Sequence, residues 1–159
     1  AVVYLSLSRS QKVIYNFPVF WFWPNVDAGS DGTSNGIRRF REMNQPKHIH
    51  FFKNMESLDF LRLLNHSKAL VGNSSAGIRE CSFLGIPVIN IGSRQNKRLR
   101  GPNVIDVPYE HQKIQEEVEG AINSNRYESS SLYGNGDSGK TIAALLARVE
   151  LSFDKTISY

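Results

Sequence analysis

Residues 68–92 read KALVGNSSAGIRECSFLGIPVINIG. Two apolar runs, KALVG at 68–72 and PVINIG at 87–92, bracket a stretch predicted to be helical from 75 to 84. Short runs without polar alternation are the pattern of strands buried on both faces. A strand, a helix and a second strand at this spacing make a parallel crossover unit, because parallel neighbours need a long connection. The stretch therefore implies a parallel sheet covered by helices.

The alternation continues in both directions. Pro18-Val19-Phe20-Trp21-Phe22-Trp23, closed by Pro24 and Asn25, reads as a buried strand. GSDGTSNG at 29–36 reads as a polar, glycine-rich loop that opens into the helix IRRFREM, ending near Met43. HIHFF at 48–52 is a second strand, and ESLDFLRLLNHS is an amphipathic helix in which Leu58, Leu61 and Leu64, with neighbours Phe60 and Leu63, recur at helical spacing. NVIDV at 103–107 is a strand leading to a helix over about 110–124. A Ser/Gly/Asn-rich linker follows at 124–139, and TIAALLARVEL carries an apolar stripe expected to face the core. The expected fold class is α/β, a Rossmann-like parallel sheet with helices on both faces.

Composition bounds the alternatives. A chain of 159 residues with 40% hydrophobic content supports one globular domain with a real core. Cys81 is the only cysteine, so no internal disulfide is possible, and with no charged-then-apolar leader the expected setting is cytoplasmic. Cys81 falls in the second turn of the helix after GNSS and reads as a packing residue. The longest apolar runs are far shorter than a membrane span, so no membrane partner is expected. Net charge is +4, and Arg94, Lys97, Arg98 and Arg100 crowd one segment, which suggests an anionic partner. The aromatics lie in apparent core strands and do not interleave with that segment, so no nucleic acid is expected. His48 and His50 share a strand face without a third ligand, which reads as solvated histidines; no metal and no cofactor are expected.

One motif points elsewhere. GNGDSGKT, Gly134 to Thr141, satisfies G-x-x-x-x-G-K-[ST]. A phosphate-cradling loop of that kind needs a buried strand before it, whereas RYESSSLY is polar, and only residues 142–159 follow to build the rest of a sheet. The stretch reads as a turn before a helix.

In open parallel sheets the ligand lies outside the carboxyl ends of the strands, where PNVDAGSDG, GNSSAGIRE and GSRQNKR follow three of the apolar runs. Ser74 or Ser75 stands where a helix N-cap belongs, Gly77 allows close approach, and Arg94 would project from the neighbouring strand end. A guanidinium there can hold a phosphate with paired hydrogen bonds. From spacing alone an ordinary serine cap, with Glu80 on the helix surface, is an equal reading of GNSSAGIRE.

The segments N-S-S-A-G-I-R-E and G-I-P-V-I-N-I-G-S-R-Q, with W-P-N-V-D-A-G-S upstream, resemble the hydrolysing UDP-N-acetylglucosamine 2-epimerases from about Pro18 to Leu146. The match includes Y-G-x-G at 133–136, so GNGDSGKT corresponds to that family's terminal loop. The resemblance implies the UDP-binding C-terminal half of a GT-B fold: residues 1–17 unmatched, 18–124 the Rossmann-like UDP-binding domain, 125–151 its linker and C-terminal helix. It implies that Ser74 and Ser75 bind the diphosphate, Glu80 accepts ribose hydroxyls, Arg94 serves the phosphate end and Asn25 lines the cleft. The implied reaction converts UDP-N-acetylglucosamine to N-acetylmannosamine and UDP by elimination and hydration, in sialic acid biosynthesis, in a homo-oligomeric full-length enzyme. The family's acid and base carboxylates belong to a missing N-terminal domain, so the chain alone is expected to bind UDP without turnover. The second class it leaves open is a non-catalytic nucleotide-binding module.

Overall fold

A computed structural model of the chain describes residues 18–24 and 30–150. Its elements run β1 (Val19–Phe22), α1 (Ser30–Asn44), β2 (Ile49–Phe52), α2 (Ser57–His66), β3 (Leu70–Gly72), α3 (Ser75–Ile78), α4 (Glu80–Leu84), β4 (Val88–Ile91), β5 (Val104–Val107), α5 (His111–Asn123) and α6 (Ser138–Leu146). All strand pairings are parallel: β1 with β2, β3 with β4 and β4 with β5. The α/β reading stands, with one refinement. The strands form a two-stranded and a three-stranded sheet, because β1 and β3 share no ladder of hydrogen bonds.

Side chains join the two sheets instead. Val19, Trp21 and Ile49 from the first pack with Val71, Ile89, Ile91 and Val107 from the second in one core cluster, closed by Ile37 of α1 and by Ile114 and Val118 of α5. Beside the seam lies an apolar cavity of about 380 Å³ bordered by Phe20, Phe22, Phe60, Leu70 and Val118. Phe60 meets Phe22 edge-on at 5.3 Å. A second cluster, Leu64, Leu70, Cys81, Ile86 and Val88, seats α2 and α4 under β3 and β4.

Four sequence expectations are corrected. The glycine-rich stretch before Ile37 is helical from Ser30, since α1 buries Ile37 and sets Phe40 5.5 Å from the Trp21 ring. That packing outweighs the helix penalty of Gly32 and Gly36, about 1 kcal/mol each. The helix expected over 75–84 is broken at Arg79, whose φ of −95° and ψ of −74° separate α3 from α4. In α2 only Leu64 is fully buried, and Leu58 is 60% exposed, so the core-facing stripe is narrower than its apolar content. The apolar face of α6 is open to solvent, with Ile142, Leu145 and Leu146 all exposed, as is Val149 beyond its end. Periodicity identifies an apolar face but says nothing about what covers it.

The segment after α5 is pinned to the body. Tyr127 N–H donates to Gly85 O at 2.9 Å, Ser130 N–H to Ser82 O at 3.0 Å and the Tyr133 hydroxyl to Leu99 O at 2.7 Å. Gly85 ends α4 in the left-handed region, φ +67°, and a Cβ there would overlap the Tyr127 carbonyl. Under it, buried Asn103 accepts from the Ser82 hydroxyl at 2.8 Å and donates to Ile86 O at 2.8 Å, tying α4 to the entry of β5.

Candidate functional site

Parallel pairing turns the carboxyl ends of the strands to one side within each sheet, and one cavity brings Trp23 and Lys53, just past β1 and β2, together with Ala76 and Glu80, which follow β3. Ser74 caps α3 with its Oγ accepting from Ala76 N–H at 3.3 Å. Gly77 lets this turn lie directly on the sheet, since a Cβ would stand 2.8 Å from Val88 Cγ1 and 3.1 Å from Leu70 Cδ2, both on buried residues. The turn that carries Ser74 and Ser75 is thereby held low on the strand ends.

Glu80 opens α4 and is half-buried. Its Oε2 is buried and has no hydrogen-bond partner. Water-free carboxylate oxygens without partners are costly, about 1–3 kcal/mol or more. The side chain borders a cavity of about 300 Å³ shared with Phe22, Trp23, Lys53, Phe60 and Ala76. Arg38 of α1 stacks over Trp23, its Cζ 5.8 Å from the ring centre. Three aromatic side chains, one lysine and one carboxylate make a mixed pocket suited to a flat polar ring attached to a hydroxylated group. Sequence reading did not name Phe22, Trp23, Lys53 or Phe60 as site residues. For Trp23 and Lys53 the only signal was position just after strands β1 and β2, and Phe22 and Phe60 lay in a strand and a helical stripe that read as core.

Arg94 is exposed, two residues past Gly92 at the end of β4, and its Nη1 donates to Asn73 O at 3.3 Å. The structure thus brings Arg94 to the residue beside Ser74. Asn25 lies outside the described residues. Arg100 does not share the free-surface character of Lys97: its Nε pairs with Asp106 Oδ2 at 2.7 Å and its side chain is 21% exposed.

Other candidates separate from this site. Cys81 is fully buried, and burial, then the neighbouring Glu80 carboxylate, pushes its thiol up to about 12. It is a packing residue and not a nucleophile at neutral pH. Of the two histidines, His50 is exposed beside the Phe20 ring at 5.5 Å, whereas His48 Nε2 is buried, so the solvated reading holds for one of them. No group of three His, Cys, Asp or Glu side chains is placed to share a metal among the described residues. Lys140 and Thr141 sit in the exposed first turn of α6, no strand precedes them after α5, and Thr141 Oγ1 donates to Asp137 O at 3.1 Å. The phosphate-loop pattern therefore lacks the strand that would carry it. No helix among the described residues is long and apolar enough to cross a membrane.

The family model described as UDP-N-acetylglucosamine 2-epimerase matches residues 3–147. A UDP-N-acetylglucosamine 2-epimerase of Neisseria meningitidis serogroup B is 33% identical over 115 residues, 72% of this chain and 29% of that protein. A UDP-N,N'-diacetylbacillosamine 2-epimerase (hydrolyzing) of Legionella pneumophila is 31% identical over 136 residues, 86% of this chain and 35% of that protein. The chain thus spans about a third of the length of the curated relatives it matches. Among solved structures, the UDP-GlcNAc 2-epimerase of Methanocaldococcus jannaschii, crystallised with UDP-GlcNAc and UDP, superposes with a TM-score of 0.65 at 20% identity, over 84% of this chain and 36% of that one. The fold is shared.

Proposed function

This chain belongs to the UDP-N-acetylglucosamine 2-epimerase family, and from that premise we propose that it is the UDP-holding part of a hydrolysing enzyme that converts UDP-N-acetylglucosamine to N-acetylmannosamine and UDP. The observation that carries the reading is the partnerless Oε2 of Glu80, at the wall of an aromatic cavity and at the start of the helix that follows the Ser74–Ser75 turn. A carboxylate kept short of partners in the ligand-free protein is an acceptor waiting for donors, and the adjacent hydroxyls of a ribose supply them.

The pyrimidine ring then lies between Phe22, Trp23 and Phe60, and the diphosphate runs toward Ser74, Ser75 and Arg94. Asn25 completes the cleft wall on the same reading. In the reaction the bond from the sugar's anomeric carbon to UDP breaks as the C2 proton leaves, and water adds across the resulting double bond. Charge builds on the departing diphosphate oxygen. Serine hydroxyls and a fixed guanidinium stabilise that charge more than they stabilise the ground state, which is what lowers the barrier. The proton-transfer groups lie in the remainder of a full-length enzyme, a homo-oligomer in the cytoplasm. In domain terms, residues 18–124 form the UDP-binding unit, and 125–151 its strap and terminal helix.

Calorimetry with UDP and ATP tests the reading. UDP should bind without added Mg²⁺ and without release of N-acetylmannosamine. Tighter, Mg²⁺-dependent binding of ATP that is lost in Lys140→Ala would replace this site by the GNGDSGKT loop, and sugar release by the chain alone would show that the proton-transfer groups are misplaced.

A further inference from the structure

A line of polar contacts runs from β5 to the serine turn. Asp106 on β5 accepts from Asn90 Nδ2 on β4 at 2.6 Å and pairs with Arg100 Nε at 2.7 Å. The same guanidinium closes the basic loop on itself, Nη1 donating to Arg98 O at 2.7 Å and Nη2 to Gln95 O at 2.8 Å. Gln95 is 3% exposed, and its Nε2 donates to Asn73 O at 2.7 Å, the carbonyl that Arg94 also reaches. Gln95 Oε1 is buried without a hydrogen-bond partner, so the carboxamide is held at its nitrogen alone and its place depends on its backbone. Arg100 sets that backbone.

We infer that Arg100 is a positioning residue for the diphosphate end of the site: anchored on Asp106, it shapes residues 94–100 so that Gln95 and Arg94 hold the turn at Asn73, Ser74 and Ser75. It touches no ligand itself. The inference rests on the reading of Ser74, Ser75 and Arg94 as diphosphate ligands. Two hydrogen bonds from one planar guanidinium to backbone carbonyls, with its ion pair to Asp106, fix a loop that carries no regular secondary structure, and Lys97 within it takes a left-handed φ of +64°. A loop that is correctly shaped only part of the time binds its ligand more weakly by that fraction.

The consequence separates phosphate from base. In the full chain, Arg100→Ala should weaken UDP about ten-fold, on the view that the loop is then shaped about a tenth of the time, and leave uridine within about two-fold, since the aromatic cavity and Glu80 lie on other elements. Asp106→Asn, which keeps an oxygen for Asn90, should give the same UDP-specific loss in smaller measure. In an Arg94→Ala, Gln95→Ala background, Arg100→Ala should cost UDP less than about two-fold more, because the residue acts through those two side chains. Equal losses for UDP and uridine would mark a general structural role, and full additivity with the Arg94→Ala, Gln95→Ala pair would mark a direct phosphate contact; either overturns the inference. Unchanged UDP affinity in both variants overturns it while leaving the UDP site standing. Failure of the unsubstituted chain to bind either UDP or uridine would remove the site and the inference together.

Discussion

Replacing Glu80 by glutamine should separate function from stability in opposite directions. The carboxylate has one buried oxygen without a partner, a condition that costs about 1–3 kcal/mol. Glutamine fills the same space without the charge, so the ligand-free protein should be unchanged or more stable by up to about 1 kcal/mol. For a domain of this size that is a rise in melting temperature of at most about 4 °C. Binding should move the other way. Hydrogen bonds to a charged acceptor are worth about 1.5–3 kcal/mol and neutral ones about 1, so the substitution loses about 1 kcal/mol for each of two ribose hydroxyls. Two such losses weaken UDP about 30-fold. Calorimetry with UDP and its 2'-deoxy and 3'-deoxy analogues measures the effect, and each analogue should show about half the penalty in free energy. An equal penalty for UDP and both analogues, or a melting temperature lower by more than about 5 °C, would show that Glu80 supports the fold and does not read the sugar.

Two other outcomes follow from the same structure. Arg94→Ala should weaken UDP about ten-fold or more, the size of a charge-assisted hydrogen bond, whereas exposed Lys97→Ala should change it less than about two-fold; titrations of both variants check this, and equal effects would reduce the cleft to a diffuse positive surface. Cys81 should resist iodoacetamide at pH 8 in the folded protein and react on unfolding. Because its thiol is pushed from 9.0 up to about 12 in the fold, its contribution to stability is complete below pH 9 and is lost as pH rises toward about 12, a slope that Cys81→Ala should lack.

Strands were the most legible part of this chain. VFWF, LVG and VINI are apolar without alternation because parallel strands are covered on both faces, and that pattern survives in a single sequence. Helix limits were less so. The start of α1 at Ser30 is set by where Ile37 and Phe40 dock on the aromatic strands, a tertiary cause that outweighs the glycines. The break at Arg79 carries no proline or glycine to announce it. Ser74 and Arg94 were legible as candidates because each falls just past an apolar run, whereas Glu80 stood out only through the family resemblance. The cavity walls were not: Phe22, Lys53 and Phe60 come from separate segments and converge only when β1, β2 and α2 are assembled. Gln95 and Arg100 looked like two more polar residues in a basic loop, since nothing local marks the carbonyl that Gln95 reaches or the aspartate that Arg100 meets.

The strap through Tyr127 has a bearing on how small the nucleotide-holding unit can be made. Its hydrogen bond to Gly85 secures the far end of the short helix whose first residue is Glu80, so the tail of the domain and the ribose acceptor are mechanically one piece. Cutting after α5 would leave every proposed contact residue in the chain and yet release that helix at its C-terminal end. The shortest fragment that keeps Glu80 in register therefore extends through Ser130, and through Tyr133 if the basic loop is to keep its tether at Leu99.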